Sequence, residues 1–241
     1  LKYLHPRVDK IICNSIGVEK SIQRQSFFNA GKCVTINKGH RNEWYKGNPP
    51  VDWQKEGLPA GAFVIMCVCN NRRMKGLPYL LKSLKYIPKE HPLHLVLVGR
   101  DMDTKANLRT IEAGNFSDKV HFFGYRDDVL NLVVASNVFV LPSIYGESIT
   151  KSVLEAMALG IAPVITDIPG NVELVEHGVS GLVVPRKNPK ALADAILKLY
   201  QNPEMCRQFG QKSKERIDTV LNSSLTIEKT IQVYRELCKN K

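Results

Sequence analysis

Short runs of β-branched and aromatic residues alternate along this chain with stretches in which apolar residues recur every three or four positions. Residues 62–69 (A-F-V-I-M-C-V-C) are apolar throughout, the pattern of a central strand buried on both faces. Residues 93–99, 120–123, 138–141, 162–166 and 181–184 give further strand signals. Helical patterns fall between them, over 77–86, 105–113, 127–135 and from Lys151 to a stop at Gly160. Residues 189–200 form an amphipathic helix with Leu192, Ile196 and Leu199 on one side, and helices over 203–217 and 225–238 follow. Strand and helix alternate with short joins, which predicts an α/β fold: a doubly wound parallel sheet with right-handed crossovers and C-terminal helices.

The first sixty residues read differently. Residues 8–14 predict a strand, Ser15 an N-cap for a helix running to about Phe28, and residues 33–37 a second strand. Residues 40–61 are polar and broken by Pro49, Pro50 and Pro59, like a linker or peripheral loop.

Charge and composition narrow the function classes. The 241 residues are 44% hydrophobic and 24% charged, as in an ordinary globular protein with a well-filled core. No apolar run approaches the ~18–20 residues of a membrane span, and no basic-then-apolar leader opens the chain. Leu1 stands where an initiator methionine would, so the chain is expected to be part of a longer polypeptide. The net charge of +11 suits phosphates, an anionic membrane surface or nucleic acid. No zinc-finger, RRM or helix-turn-helix pattern accompanies it, so nucleic acid is not an expected partner. The six cysteines lack zinc spacing and read as free thiols in a reducing cytoplasm, Cys67 and Cys69 on opposite faces of one strand. The six histidines show no ligand spacing, and His121 reads as a core residue. Asp101-Met102-Asp103 reads as a turn before a helix, and Asp167 and Glu173 receive no role in catalysis or metal binding.

Candidate chemistry gathers after the strand at 138–141. Pro142 and Gly146 mark a loop at the carboxyl end of that strand, where ligands sit in open α/β sheets, and the following helix start offers free N–H groups to an anion. Glu147 lies at the loop tip and Glu155 eight residues on. Alone, the pair is as well read as a solvated loop carboxylate and a helix-surface ion-pair partner. In another strand–helix loop, Arg72 supplies a planar bidentate fork and Lys75 a point charge, with Gly76 permitting the turn. Backbone N–H groups of Ser148, Ile149 and Thr150 are a third source of donors, reinforced by the helix dipole.

The context of Glu147 is more specific. E-A-M-A-L-G-I-A-P-V-I-T-D-I-P-G-N-V-E-L-V-E-H-G-V-S-G-L-V-V-P follows from Glu155, and residues 147–185 resemble the signature of retaining nucleotide-sugar glycosyltransferases of family 4. That signature belongs to the C-terminal, donor-binding domain of the GT-B fold, and the resemblance extends over most of residues 62–200. N-N-R-R-M-K-G is similar to the family's N-x-R-x-x-K-G loop, which maps its cations to Arg72 and Lys75, with Arg73 the competing assignment. The resemblance implies that Glu147 holds hydroxyls of the transferred sugar and that Glu155 accepts from the ribose. Gly99 and Tyr125 are placed beside the base, or are simply turn and core residues. Where the family often has Gly-Phe-Gly after the first Glu, this chain has Ser148-Ile149-Thr150, which changes the turn facing the sugar.

By the same resemblance, residues 1–39 are the tail end of an acceptor-side domain and 40–61 a hinge. Residues 62–202 form the donor-binding domain, and of the helices in 203–241 the last packs back toward the N-terminal side. The implied reaction moves a sugar from a nucleoside diphosphate to a hydroxyl of a saccharide or lipid-linked acceptor, with retention, no metal and no other cofactor. The implied setting is polysaccharide biosynthesis, cytoplasmic or peripheral at the inner membrane face. As mainly a donor-binding half, the chain is expected to bind nucleotide but turn over weakly. A non-catalytic nucleotide-sugar sensor and a GT-B epimerase or phosphorylase share the fold and stay open at this stage, with a basic nucleic-acid-binding domain as the outlying reading.

Overall fold

A computed structural model describes residues 5, 7–25 and 30–239. The apolar runs become a six-stranded sheet: β3 (Phe63–Val68), β4 (Leu93–Val98), β5 (Val120–Gly124), β6 (Val138–Leu141), β7 (Ala162–Thr166) and β8 (Leu182–Val184). All neighbours pair in parallel, in the order β5-β4-β3-β6-β7-β8. This is the doubly wound α/β arrangement that the alternation predicts. The central strands are covered on both faces: Val64, Ile65, Met66, Phe139 and Val140 are fully buried.

The crossover helices are α2 (Leu77–Ser83), α3 (Lys105–Gly114), α4 (Val129–Val134) and α5 (Lys151–Ala158), and after the last strand come α6 (Pro189–Gln201), α7 (Pro203–Thr219) and α8 (Ser223–Lys239). Helix α6 buries Leu192, Ile196 and Leu199 on one stripe, and Asn188 caps it by accepting from Ala191 N. Asp101-Met102-Asp103 does lie in the turn before α3, which Thr104 caps.

Ahead of the main sheet, β1 (Ile11–Cys13) and β2 (Cys33–Thr35) form a separate parallel pair flanking α1 (Ile16–Gln25). The expected helix end near Phe28 lies outside the described residues. Residues 40–61 hold only a short 3₁₀ turn, Asn42–Tyr45, yet they are anchored rather than peripheral. Tyr45 and Leu58 are buried in the core, and Trp53 Nε1 donates to Ala135 O at 2.8 Å. His40 is 3% exposed, and its Nδ1 is hydrogen-bonded to Tyr45 Oη. Burial first, then the charges of Lys38 and Lys151, push its pKa down to about 4.

Two sequence expectations change in detail. Residues two apart on a strand share a face, so Cys67 and Cys69 point the same way, with Sγ atoms 3.8 Å apart, not to opposite faces. His121 is half-buried and satisfied by its neighbour, Nε2 lying 3.0 Å from Nδ1 of buried His94. Among the described residues no helix is long and apolar enough to cross a membrane.

Candidate functional site

The strand order reverses between β3 and β6, so the loops leaving these two strands face each other across the crevice at the carboxyl ends. They interlock. Ile144 N donates to Met74 O at 2.7 Å. Gly76 sits at φ +68°, and a Cβ there would lie 2.0 Å from Pro142 O. Only glycine allows both the left-handed turn and this approach, which carries Arg72 and Lys75 to the edge of the crevice.

Opposite them stands Glu147. Its carboxylate is held from three sides: by Lys75 Nζ at 2.5 Å, by Ser143 Oγ at 3.1 Å and by Thr150 Oγ1 at 3.3 Å. The side chains of Glu147 and Lys75 are only 10% and 16% exposed, so the pair is poorly screened by water. Fully buried Asn171 lies behind Thr150, the two polar groups 3.0 Å apart, and its Nδ2 has no partner when Oδ1 faces the hydroxyl. Turning the amide resolves both contacts. Nδ2 then donates to Thr150 Oγ1, which is left free to donate to Glu147. Next to Asn171, Gly170 at φ +93° allows its loop to press on the Glu147–Ser148 turn, where an added Cβ would meet Ser148 Cα at 2.7 Å.

Glu155 lies on α5, its side chain 13% exposed, with Lys151 Nζ at 3.0 Å from one oxygen. The N–H groups of Ser148, Ile149 and Thr150 have no acceptor among the described residues. They precede the N-terminus of α5, where unsatisfied donors and the helix dipole favour an anion.

A cleft of about 440 Å³ joins these pieces. All nine residues that the sequence put forward line it: Arg72, Lys75, Gly99, Tyr125, Glu147, Ser148, Ile149, Thr150 and Glu155. Arg73 does not, and lines an adjoining concavity. Tyr125 is 63% exposed, with the Arg100 guanidinium 5.1 Å from its ring centre, so it presents a flat platform at the rim. Arg126 beside it was not anticipated. It binds Asp128 at 2.7 Å and Glu56 at 2.9 and 3.2 Å, contacts that raise its pKa and lower that of Asp128. Asn171 and Gly170 carry no local sequence signal, because their partners lie more than 20 residues away, and the Glu56 partner of Arg126 lies 70 away.

The N-terminal segment closes one side. Asn14 Nδ2 donates to Ser148 Oγ at 3.0 Å. The Glu173 carboxylate accepts from Ile16 N and Gly17 N at 2.9 and 3.1 Å, capping α1 from the far side of the crevice. Asp167 accepts from Arg186 N at 2.7 Å. Both acids are thus engaged in holding backbone.

Glycosyl transferases group 1 is the family that matches this chain, over residues 51–216, well over half its length. The chain belongs to that family. Among relatives of this group 1 glycosyltransferase, the N-acetyl-alpha-D-glucosaminyl L-malate synthase of Bacillus anthracis is 24% identical over 184 residues, covering 76% of this chain and 48% of that protein. The N,N'-diacetylbacillosaminyl-diphospho-undecaprenol alpha-1,3-N-acetylgalactosaminyltransferase of Campylobacter jejuni is 33% identical over 178 residues, 73% of this chain and 46% of that protein. The chain therefore spans about half the length of these relatives. Among solved structures, Anabaena Alr3699/HepE in complex with UDP and glucose superposes with a TM-score of 0.83, covering 94% of this chain and 63% of that one. At 21% identity that likeness is one of fold, the Rossmann-like α/β fold of GT-B glycosyltransferases.

Proposed function

We propose that this chain is the donor-binding half of a retaining glycosyltransferase, which transfers a sugar from a nucleoside diphosphate to a hydroxyl of a saccharide or lipid-linked acceptor. The observation that carries the reading is the convergence of Arg72, Lys75 and the free N–H groups at 148–150 on one cleft with Glu147 and Glu155. Donor recognition by the relatives is consistent with it, since one fold neighbour was solved with UDP and glucose. The C. jejuni relative is named for a diphospho-undecaprenol acceptor.

The proposed chemistry follows from charge. As the bond between the sugar C1 and the diphosphate oxygen breaks, negative charge grows on the diphosphate. Arg72, Lys75 and the backbone donors are fixed sources of opposite charge that need no reorganisation at that moment. Glu147 grips sugar hydroxyls and sets the anomeric carbon, while the free oxygen of Glu155 accepts from the ribose diol. The acceptor oxygen bonds C1 from the face that the diphosphate leaves, and the acceptor proton passes to the departing phosphate oxygen. No protein base is required.

Calorimetric titration of the chain with UDP, GDP and ADP tests the reading. One nucleotide is expected to bind, and Arg72→Ala and Lys75→Ala are each expected to weaken it at least tenfold. Failure of all three nucleotides to bind, or binding indifferent to both substitutions, overturns the proposal.

A further inference from the structure

A second cavity, of about 710 Å³, lies across the Glu147–Ser148 turn from the nucleotide cleft. The two cavities share Glu147 and Ser148 as a common wall. The far wall is one stripe of α1: Gly17, Lys20, Ser21 and Arg24, at spacings of three, four and seven that put them on a single helix face. Arg186 and the half-exposed ring of Tyr145 complete it.

The charge in this cavity is one-sided. Lys20, Arg24 and Arg186 all face it, and among the described residues none has an ion-pair partner. Elsewhere Lys190 pairs with Asp194, Arg207 with Glu204 and Lys212 with Glu215, each pair within one helix. Helix α1 has an acid too, but Glu19 is taken by Gln23 and Thr35. Lys20 and Arg24 are therefore like charges at i,i+4, an arrangement that disfavours the helix unless an anion is supplied from outside. Among the described residues Glu147 is the only carboxylate lining the cavity, and Lys75 already offsets it. The N-terminus of α1 is likewise occupied, by Glu173.

We infer that this cavity is the acceptor subsite and that the acceptor carries a phosphate or diphosphate, gripped by Lys20, Arg24 and Arg186 while its hydroxyl is presented at Glu147. The inference rests on the nucleotide reading of the neighbouring cleft and adds the acceptor's chemical class. A nucleotide sugar in one cavity and a phosphorylated acceptor in the other meet only along the shared Glu147–Ser148 wall. That wall is where a C1–O bond must form. Separate cationic groups hold the two phosphates apart: Arg72 and Lys75 for the donor, α1 and Arg186 for the acceptor. The sugar phosphate of the acceptor is unchanged by the reaction; only its hydroxyl proton is lost, to the leaving diphosphate.

The test is calorimetry with glucose 1-phosphate on the chain saturated with whichever nucleoside diphosphate it binds. In parallel, co-sedimentation uses phosphatidylcholine vesicles carrying a polyprenyl diphosphate. Binding in at least one arm is expected to persist beside nucleotide. It should weaken at least tenfold in Lys20→Gln/Arg24→Gln and in Arg186→Gln, and stay unchanged in Lys212→Gln. All the substituted residues are exposed, so unaltered melting curves are expected to show that the variants stay folded. Preference for one arm identifies a soluble or a lipid-borne phosphate. Displacement by nucleotide, indifference to the substitutions, or equal binding to phosphatidylserine vesicles overturns the inference. If no nucleotide binds yet the phosphate still depends on Arg24 and Arg186, the donor assignment fails while the anion site stands.

Discussion

The Lys75–Glu147 pair yields the most discriminating experiment, because stability and binding should respond to it in different directions. Two unit charges about 4 Å apart attract by about 4 kcal/mol at the effective dielectric near a protein surface, and by about 1 kcal/mol in water. With side chains only 10% and 16% exposed, this pair belongs nearer the first value, less the desolvation cost of both ions. A net coupling of about 2 kcal/mol follows. Lys75→Met should destabilise by about 2 kcal/mol by stranding a half-held carboxylate, and Glu147→Gln by a similar amount through the ammonium it strands. The double variant should lie close to either single one. Urea unfolding of the four proteins gives the cycle. Calorimetry with the preferred nucleoside diphosphate gives the second axis. Lys75→Met loses a charge-assisted bond worth about 1.5–3 kcal/mol and should bind ten- to a hundredfold more weakly. Glu147→Gln frees Lys75 for the phosphates and should bind nucleotide as tightly as the parent or more so, while losing affinity for the sugar-bearing donor. Additive destabilisation, or equal loss of nucleotide by both single variants, would refute the coupled-pair account.

Gly170→Ala puts a Cβ 2.7 Å from Ser148 Cα at a left-handed φ, so it should destabilise by about 2 kcal/mol or more and loosen donor binding; thermal melts and donor titration check both. Acid should weaken the fold through His40. Its folded pKa of about 4 lies below the unfolded value of about 6.5, so the unfolded chain takes up a proton that the fold refuses between those limits. Stability is therefore complete above about pH 7 and falls by up to about 3 kcal/mol towards pH 4, and His40→Gln should flatten the slope of urea midpoint against pH, leaving the share due to His94. Glu173→Ala removes the cap on α1, and hydrogen exchange at the Ile16 and Gly17 amides should accelerate about fivefold or more.

The central sheet was legible because burial on both faces leaves little choice of residue. Strands β6 and β7 start and stop where their apolar runs do, at 138–141 and 162–166. The candidate site was legible for a related reason: loops at a switch point are short, and Glu147, Arg72 and Lys75 sit on two of them. What escaped was long-range support. Nothing near Asn171 announces that it backs Thr150, and nothing near Glu173 announces a helix start more than 150 residues earlier. The anchoring of 40–61 was hidden because Tyr45 and Trp53 are isolated aromatics with no period, whose worth depends on the surfaces they meet.

The three hydrogen bonds that tie the N-terminal segment across the crevice have a dynamic consequence. Two are made to an ionised carboxylate, and together they contribute about 4 kcal/mol, so the parted arrangement should be visited by about one molecule in a thousand. Because the third, from Asn14, ends on the residue after Glu147, each such excursion also unclasps the turn bearing that carboxylate. Opening of the cavity along α1 and momentary slackening of the turn bearing Glu147 are thus governed by one rare event.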